Sequence, residues 1–416
     1  MADIAGGAAV TQAIVVGAGP GGSSTAFHLA QNGIDVLLLD RASFPRDKVC
    51  AEYLSPQASR ILSSMGAMEA IDNAGPAHLT GMRVRAPNGY EIHGSFAARH
   101  GFRAFRDRGI AVPRSVLDAI LVERAQCAGA RLVENARVTD VLRDGFGRTC
   151  GVAVINADGS RREFRAPLVI GADGLRSVIG RRLGLTRVSR FPRRVAFVAH
   201  FRNVAGITEV GEMHVERDGY IGIADVGHGL TNVALVVSAR SVREAASDPD
   251  AILDGWIASH PHLAVRFEAA DRVERVRATG PFASSTRRAW AHGAALVGDA
   301  ADFFDPFTGE GVYSALRGGE LLAPFAAEAA VSSSEAGARV LAEYERARRT
   351  EFGGKWLVEK LIAGTVAVPA LINHAARALS RRREMADLLV GVAGDFVPPS
   401  EVLRIGYFAR LLVFGV

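Results

Sequence analysis

The run Gly17-Ala18-Gly19-Pro20-Gly21-Gly22 has the residue types and spacing to hold a pyrophosphate. Gly17 permits a tight turn, Gly19 lets the backbone approach phosphate oxygens, and Gly22 lets a helix pack closely on a strand. The helix that follows offers free N–H groups and a partial positive charge to the anion. Asp40 stands 18 residues beyond Gly22, where a carboxylate accepts from ribose hydroxyls, and Arg41 follows it. This is the chemistry of a dinucleotide site, and the glycines alone do not separate FAD from NAD.

Two later segments make that separation. Gly171-Ala172-Asp173-Gly174 follows the apolar run LVI, and Gly298-Asp299 follows AALV and precedes Pro306, Gly309 and Gly311. An Asp at a strand end can hold a ribose or ribityl hydroxyl. The Gly309-Glu310-Gly311 turn is expected to open a helix whose first amides face the pyrimidine edge of a flavin. Those amides would stabilise negative charge on the reduced ring.

These residues need a scaffold to position them. Residues 13–16 and 35–39 read as buried strands and 21–31 as the helix between them, a β-α-β unit of about thirty residues. Residues 114–128 read as an amphipathic helix, with Val116, Ile120 and Leu121 on one face and Asp118 and Glu123 elsewhere. Alternating strands follow to residue 165, a buried strand at 168–171, an antiparallel set of β segments over 194–237, and another buried strand at 294–297. From Gly311 the chain reads as mostly helical. The expected fold is α/β: a discontinuous Rossmann-type FAD-binding domain (10–75, 105–185 and 285–325), an inserted antiparallel β-sheet substrate domain (76–104 and 186–284) and a helical C-terminal region (326–416).

Taken together, the three nucleotide motifs resemble the FAD-dependent oxidoreductases of the p-hydroxybenzoate hydroxylase fold. That superfamily includes aromatic hydroxylases, halogenases and geranylgeranyl reductases. The resemblance spans about the first 325 residues and implies FAD as cofactor. It implies that Asp299 contacts the ribityl chain, that Gly311 and Val312 lie against the isoalloxazine, and that Arg114 contacts FAD. It also implies NAD(P)H as a transient reductant that needs no Rossmann unit of its own.

Phe44-Pro45-Arg46-Asp47-Lys48-Val49-Cys50-Ala51-Glu52-Tyr53-Leu54-Ser55-Pro56 is similar to the FPRxKxCGExLxP stretch of the geranylgeranyl-reductase-like branch, with Ala51 in place of Gly. Cys50 reads either as a group that tunes the flavin and shapes the pocket or as a small buried thiol. The YxWxFP stretch of prenyl reductases is here Tyr220-Ile221-Gly222-Ile223-Ala224-Asp225. Gly222 and Ala224 are expected to widen the pocket and Asp225 to add an acceptor to it, unless the hairpin never meets substrate. His200, His214 and His228 are acid/base candidates or structural histidines. Cys50, Asp225 and His214 stand as the catalytic candidates. The WxWxIP segment of halogenases is absent, and Trp256, Trp290 and Trp356 are isolated.

Two reactions fit these features: oxygen-dependent hydroxylation of a hydrophobic or phenolic molecule, slightly favoured by the altered pocket motif, and reduction of an isoprenoid-like C=C bond. A flavin-binding electron-transfer or accessory protein is a third reading. The chain carries a formal charge of +5, almost wholly from Arg, with lysines only at 48, 355 and 360. No nucleic-acid motif accompanies that charge. Three cysteines with no CxxC and no metal spacing exclude a disulfide scaffold and predict no metal site. The first dozen residues show no basic n-region, so a cytoplasmic location is expected. The apolar tail 402–416, with Arg404 and Arg410, is either a core helix or a peripheral membrane contact. Oligomeric state is not encoded in any motif.

Overall fold

The computed structural model describes residues 11–98, 100–188, 193–244, 248–282 and 284–413. The N-terminal ten residues and tail residues 414–416, both covered by expectations above, lie outside the described residues.

The β-α-β unit forms as its sequence dictates. Strands β1 (Ala13–Val16) and β2 (Val36–Leu39) are uninterrupted apolar runs buried along their whole length. Such runs suit a parallel strand covered on both faces. Helix α1 (Pro20–Gln31) joins them, and Pro20 in its first turn has no N–H to leave unpaired. Gly22 has no room for a side chain, since a Cβ there would stand 1.7 Å from the Gly17 carbonyl oxygen.

The chain then makes an excursion through β3 (Gly81–Arg85) and β4 (Glu91–Ser95). It returns through α2 (Arg114–Cys127), β5 (Arg131–Val133), β6 (Leu168–Gly171) and the short α3 (Val178–Arg182). A small antiparallel sheet fills residues 137–165. A second excursion supplies β7 (Arg194–Arg202), β8 (Val210–Val215), β9 (Gly219–Asp225) and β10 (Thr231–Ser238). Strands β11 (Trp290–Ala291) and β12 (Ala294–Leu296) lead to helix α4 (Gly311–Val331). The C-terminal part is helical: α5 (Ser334–Val366), α6 (Pro369–Ser380), α7 (Arg383–Ala393) and α8 (Ile405–Val413).

Six strands form the nucleotide sheet in the order β11-β12-β6-β1-β2-β5, parallel except for the β11–β12 hairpin. Helices α1 and α4 pack together, and Ser24 Oγ on α1 donates to the Leu316 carbonyl at 2.8 Å. The second sheet runs β7-β10-β9-β8-β3-β4, flanked by Asp271–Arg272 and Arg277–Thr279 beside β7. It is antiparallel except at β8–β3, which are parallel because β3 arrives from the first excursion. One face of this sheet packs on Pro249–Ala258 and Pro261–Phe267 through Leu253, Trp256 and Leu263. The other looks toward the C-terminal helices, with α6 and α7 lying on β4. A cavity is left where both sheets, α1, α4 and α5 meet.

Candidate active site

At the phosphate end, Gly19 lies between two guanidinium groups. A Cβ there would point 3.6 Å from Arg46 Nη2 and 3.7 Å from Arg114 Nη2. Among the described residues, no side chain caps the first turn of α1, no acid occupies it, and Arg46 Nε is buried without a partner. Uncapped helix amides flanked by two cations, one with an orphaned donor, fit a pyrophosphate.

The two arginines are fixed from behind by Asp118. Arg114 Nε and Nη2 each donate to Asp118 at 2.8 Å, and Arg46 Nη1 is 3.1 Å from Asp118 Oδ2. Asp118 is fully buried and Arg114 is 4% exposed. Burial disfavours the Arg114 cation, but Asp118 outweighs it and the guanidinium stays firmly protonated. The buried residues of α2 are therefore Arg114, Leu117, Asp118, Leu121, Val122 and Ala125, which corrects the expected apolar face by adding Asp118 and omitting Val116 and Ile120.

Asp40 ends β2 with a buried carboxylate. Its Oδ2 accepts from the Ala18 amide at 2.8 Å and its Oδ1 from Ala42 at 2.9 Å. It thus also holds the glycine turn. Arg41 beside it is exposed.

At the opposite end, Gly298, Asp299, Pro306, Gly309, Gly311 and Val312 all line the cavity, where the first turn of α4 opens. Gly298 and Gly309 have φ of +61° and +71°, the left-handed region that glycine adopts without strain. A Cβ on Gly309 would also strike the Tyr53 ring at 2.9 Å. Lys48 Nζ reaches to 4.0 Å from Asp299. Glu310, between the two glycines, lines the cavity and enters a buried cluster. Its Oε2 is 2.9 Å from Lys355 Nζ, which also contacts Asp395. Burial lifts the Glu310 carboxyl above its ordinary range, and burial with Glu310 nearby lifts Glu359 well above it.

Three expected positions need correction. Asp173 does not line the cavity: its oxygens accept from Ser177 Oγ and the Val178 amide, both at 2.6 Å, and cap α3. Asp225 lies at the hairpin end, off the cavity, and accepts from the Gly227 amide at 2.9 Å. Strand alternation gives the reason, since Tyr220 packs in the core on the cavity side of the sheet and Ile221 and Ile223 in the core on the opposite side, the parity to which Asp225 belongs. His214 is turned away by the same rule. Met213 faces the cavity, while His214 is 2.8 Å from Glu212 and packs on the His262 ring. His228 is structural, its Nε2 donating to the Ala74 carbonyl at 2.7 Å.

Cys50 does line the cavity, and its Sγ accepts from the Glu52 amide at 3.3 Å. The sequence reading overlooked Glu52 itself. With φ of +60° and 3% exposure, it joins the two sheets. Its Oε1 accepts from the Arg114 amide at 2.8 Å, and its Oε2 accepts from Asn232 Nδ2 at 3.0 Å. His200 Nε2 is 2.6 Å from the same Oε2. The signal available was the position of Glu52, two residues after Cys50 in the quoted stretch. The cavity beyond it is walled by Ala196, Val198, Met213, Gly222, Ala234 and Val236, and closed by Phe304, Phe352 and Trp356.

A parallel nucleotide sheet, an uncapped glycine turn between two arginines, and a second sheet walling an apolar cavity define a FAD-dependent oxidoreductase. The FAD binding domain family matches residues 10–354, and the chain belongs to that family, in its geranylgeranyl-reductase-like branch. It is 32% identical over 393 residues to digeranylgeranylglycerophospholipid reductase 2 of Methanopyrus kandleri, covering 92% of this chain and 93% of that one. Among solved structures it resembles the myxobacterial chondrochloren halogenase CndH, with TM-score 0.76 and 28% identity over 84% of this chain and 82% of that one. It shares its fold with a geranylgeranyl bacteriochlorophyll reductase-like protein of Thermoplasma acidophilum, with TM-score 0.72 and 22% identity over 97% and 96% of the two chains.

Proposed function

We propose that this protein reduces C=C bonds in the isoprenoid chains of a lipid-like substrate. The observation that carries the reading is its 32% identity, along nearly its whole length, to a digeranylgeranylglycerophospholipid reductase. The hydroxylation favoured by the altered Tyr220–Asp225 stretch gives way to it. Gly222 and Ala224 widen the cavity, and its wall is apolar, which suits a branched hydrocarbon chain as well as a phenol.

FAD, when bound and reduced by NAD(P)H, supplies the hydride. The chain's own groups do the rest. Arg46 and Arg114, beside Gly19, would neutralise the pyrophosphate of bound FAD. The first-turn amides of α4 would stabilise negative charge on the pyrimidine edge of the flavin. Val198, Met213, Ala234 and Val236 exclude water from the hydrocarbon. Halogenation, suggested by the likeness to CndH, is disfavoured because the sequence lacks the WxWxIP segment of halogenases.

A lipid substrate gives the C-terminal helix a use. Ile405 and Leu412 on α8 are 87% and 66% exposed, with Arg404 and Arg410 near them. That pattern supports peripheral contact with an anionic membrane face. Among the described residues no single helix is long and apolar enough to cross a membrane.

The test is product analysis. Holoenzyme incubated with NADPH and a geranylgeranylated glycerophospholipid is expected to yield a lipid heavier by pairs of hydrogens. Unchanged lipid, or lipid heavier by oxygen, would refute the proposal.

A further inference from the structure

Hydride transfer to an alkene leaves one carbon needing a proton, and the cavity wall is mostly apolar. We propose that Glu274, His200 and Glu52 form a proton-delivery chain from solvent to the cavity. This rests on the reductase reading above.

His200 and Asn232 stand directly opposite each other on β7 and β10, at the edge of the sheet face that walls the cavity. Both meet Glu52 Oε2, at 2.6 Å and 3.0 Å. The second nitrogen of His200, Nδ1, is 2.8 Å from Glu274 Oε1. Glu52 is 3% exposed and lines the cavity, whereas the Glu274 side chain is 29% exposed. The imidazole therefore bridges a carboxylate in the wall and a carboxylate at the surface. A histidine held merely for orientation needs one such partner. Donating from both nitrogens requires the imidazolium.

The surrounding charges agree. Arg277 donates to Glu274 at 2.8 Å and also approaches Asp47 at 3.4 Å. The Arg114 guanidinium, on the far side of Glu52, is committed to Asp118. Cys50 offers its carbonyl to Asn232 at 3.0 Å and its sulfur to the Glu52 amide at 3.3 Å. Burial disfavours the His200 cation, but Glu52 and Glu274 outweigh it and raise its pKa above the ordinary 6.5.

In the step itself, one alkene carbon accepts a hydride from reduced flavin and the adjacent carbon accepts a proton from Glu52. Glu52 takes that proton from His200 Nε2, and His200 regains one at Nδ1 from water by way of Glu274. Two electrons leave the flavin, two enter the alkene, and one solvent proton is consumed. Glu52 is the catalytic acid, while His200 and Glu274 act through it as positioning residues.

Two measurements test this. In the holoenzyme, ¹⁵N-histidine NMR should give His200 a midpoint above 6.5, and Glu274→Gln should lower it. A midpoint unmoved by the substitution overturns the chain. In dithionite-reduced holoenzyme without oxygen, flavin reoxidation by a geranylgeranylated glycerophospholipid should show a solvent isotope effect. It should slow by roughly 10²-fold in His200→Gln. Glu274→Gln, at the more exposed end of the chain, should slow it in the same direction. Wild-type reoxidation rates in both variants would overturn the proposal. A wild-type enzyme that the lipid does not reoxidise would instead overturn the reductase reading and with it the catalytic use of the chain. The imidazole titration still decides whether the three side chains share a proton.

Discussion

Arg114 and Asp118, one turn apart on α2, form a two-pronged ion pair with both contacts at 2.8 Å, and neither side chain is more than 4% exposed. Arg46 shares the same carboxylate. A single buried acid thus aims two guanidinium groups at the glycine turn. Replacing one partner of such a group leaves uncompensated buried charge. Asp118→Asn should cost about 3–5 kcal/mol in urea unfolding of the apoprotein. It should also weaken FAD binding, measured by fluorescence titration. Unchanged stability would mean that the arginines find solvent or another acid.

The Asp173 carboxylate caps α3 and does not face the cavity. Asp173→Ala should cost about 1 kcal/mol, the usual effect of losing a helix cap, and leave FAD content unchanged. Loss of flavin from a folded variant would return Asp173 to the cofactor site.

Gly222 contributes to the cavity width. A Cβ there would be tight only against Met213 Sδ, at 3.1 Å, a thioether that can shift, with the Ala234 and Glu212 carbonyl oxygens at an ordinary 3.9 Å. Gly222→Leu should fold with full FAD content and raise KM for a long branched substrate more than for a short prenyl compound. Equal KM changes for both would show that the substrate does not pass this strand.

Glu212 predicts an acid-sensitive fold. Burial works against its charge, but His214, Arg266 and Arg83 outweigh it and lower its pKa to about 2. A folded pKa below the unfolded one gives stability that is complete above pH 4.5 and is lost as pH falls from 4.5 toward 2. The loss should be on the order of 2 kcal/mol after allowance for solvent screening. Urea midpoints measured through this window should fall in the wild type, and Glu212→Gln should remove most of that slope.

The parts of the site that follow from local sequence were legible. Gly17, Gly19 and Gly22 with Asp40 lie within one β-α-β unit, where spacing fixes geometry. The Gly309–Gly311 turn was legible for the same reason. What escaped depends on register or on distant partners. The spacing placed Asp118 off the apolar face of its helix, but it is buried because Arg46 and Arg114 neutralise it. Asp225 and His214 were open candidates for the pocket, and strand parity, which needs the sheet register, turns both away. The meeting of Glu52 with His200 and Asn232 joins residues 148 and 180 positions apart, which no local pattern encodes.

The central claim is reduction of a C=C bond, and oxygen dependence tests it most directly. NADPH-driven conversion of a geranylgeranylated glycerophospholipid should proceed as fast in an anaerobic chamber as in air, giving a product with added hydrogens. Conversion that stops without oxygen, with labelled O₂ incorporated when air is restored, would contradict it.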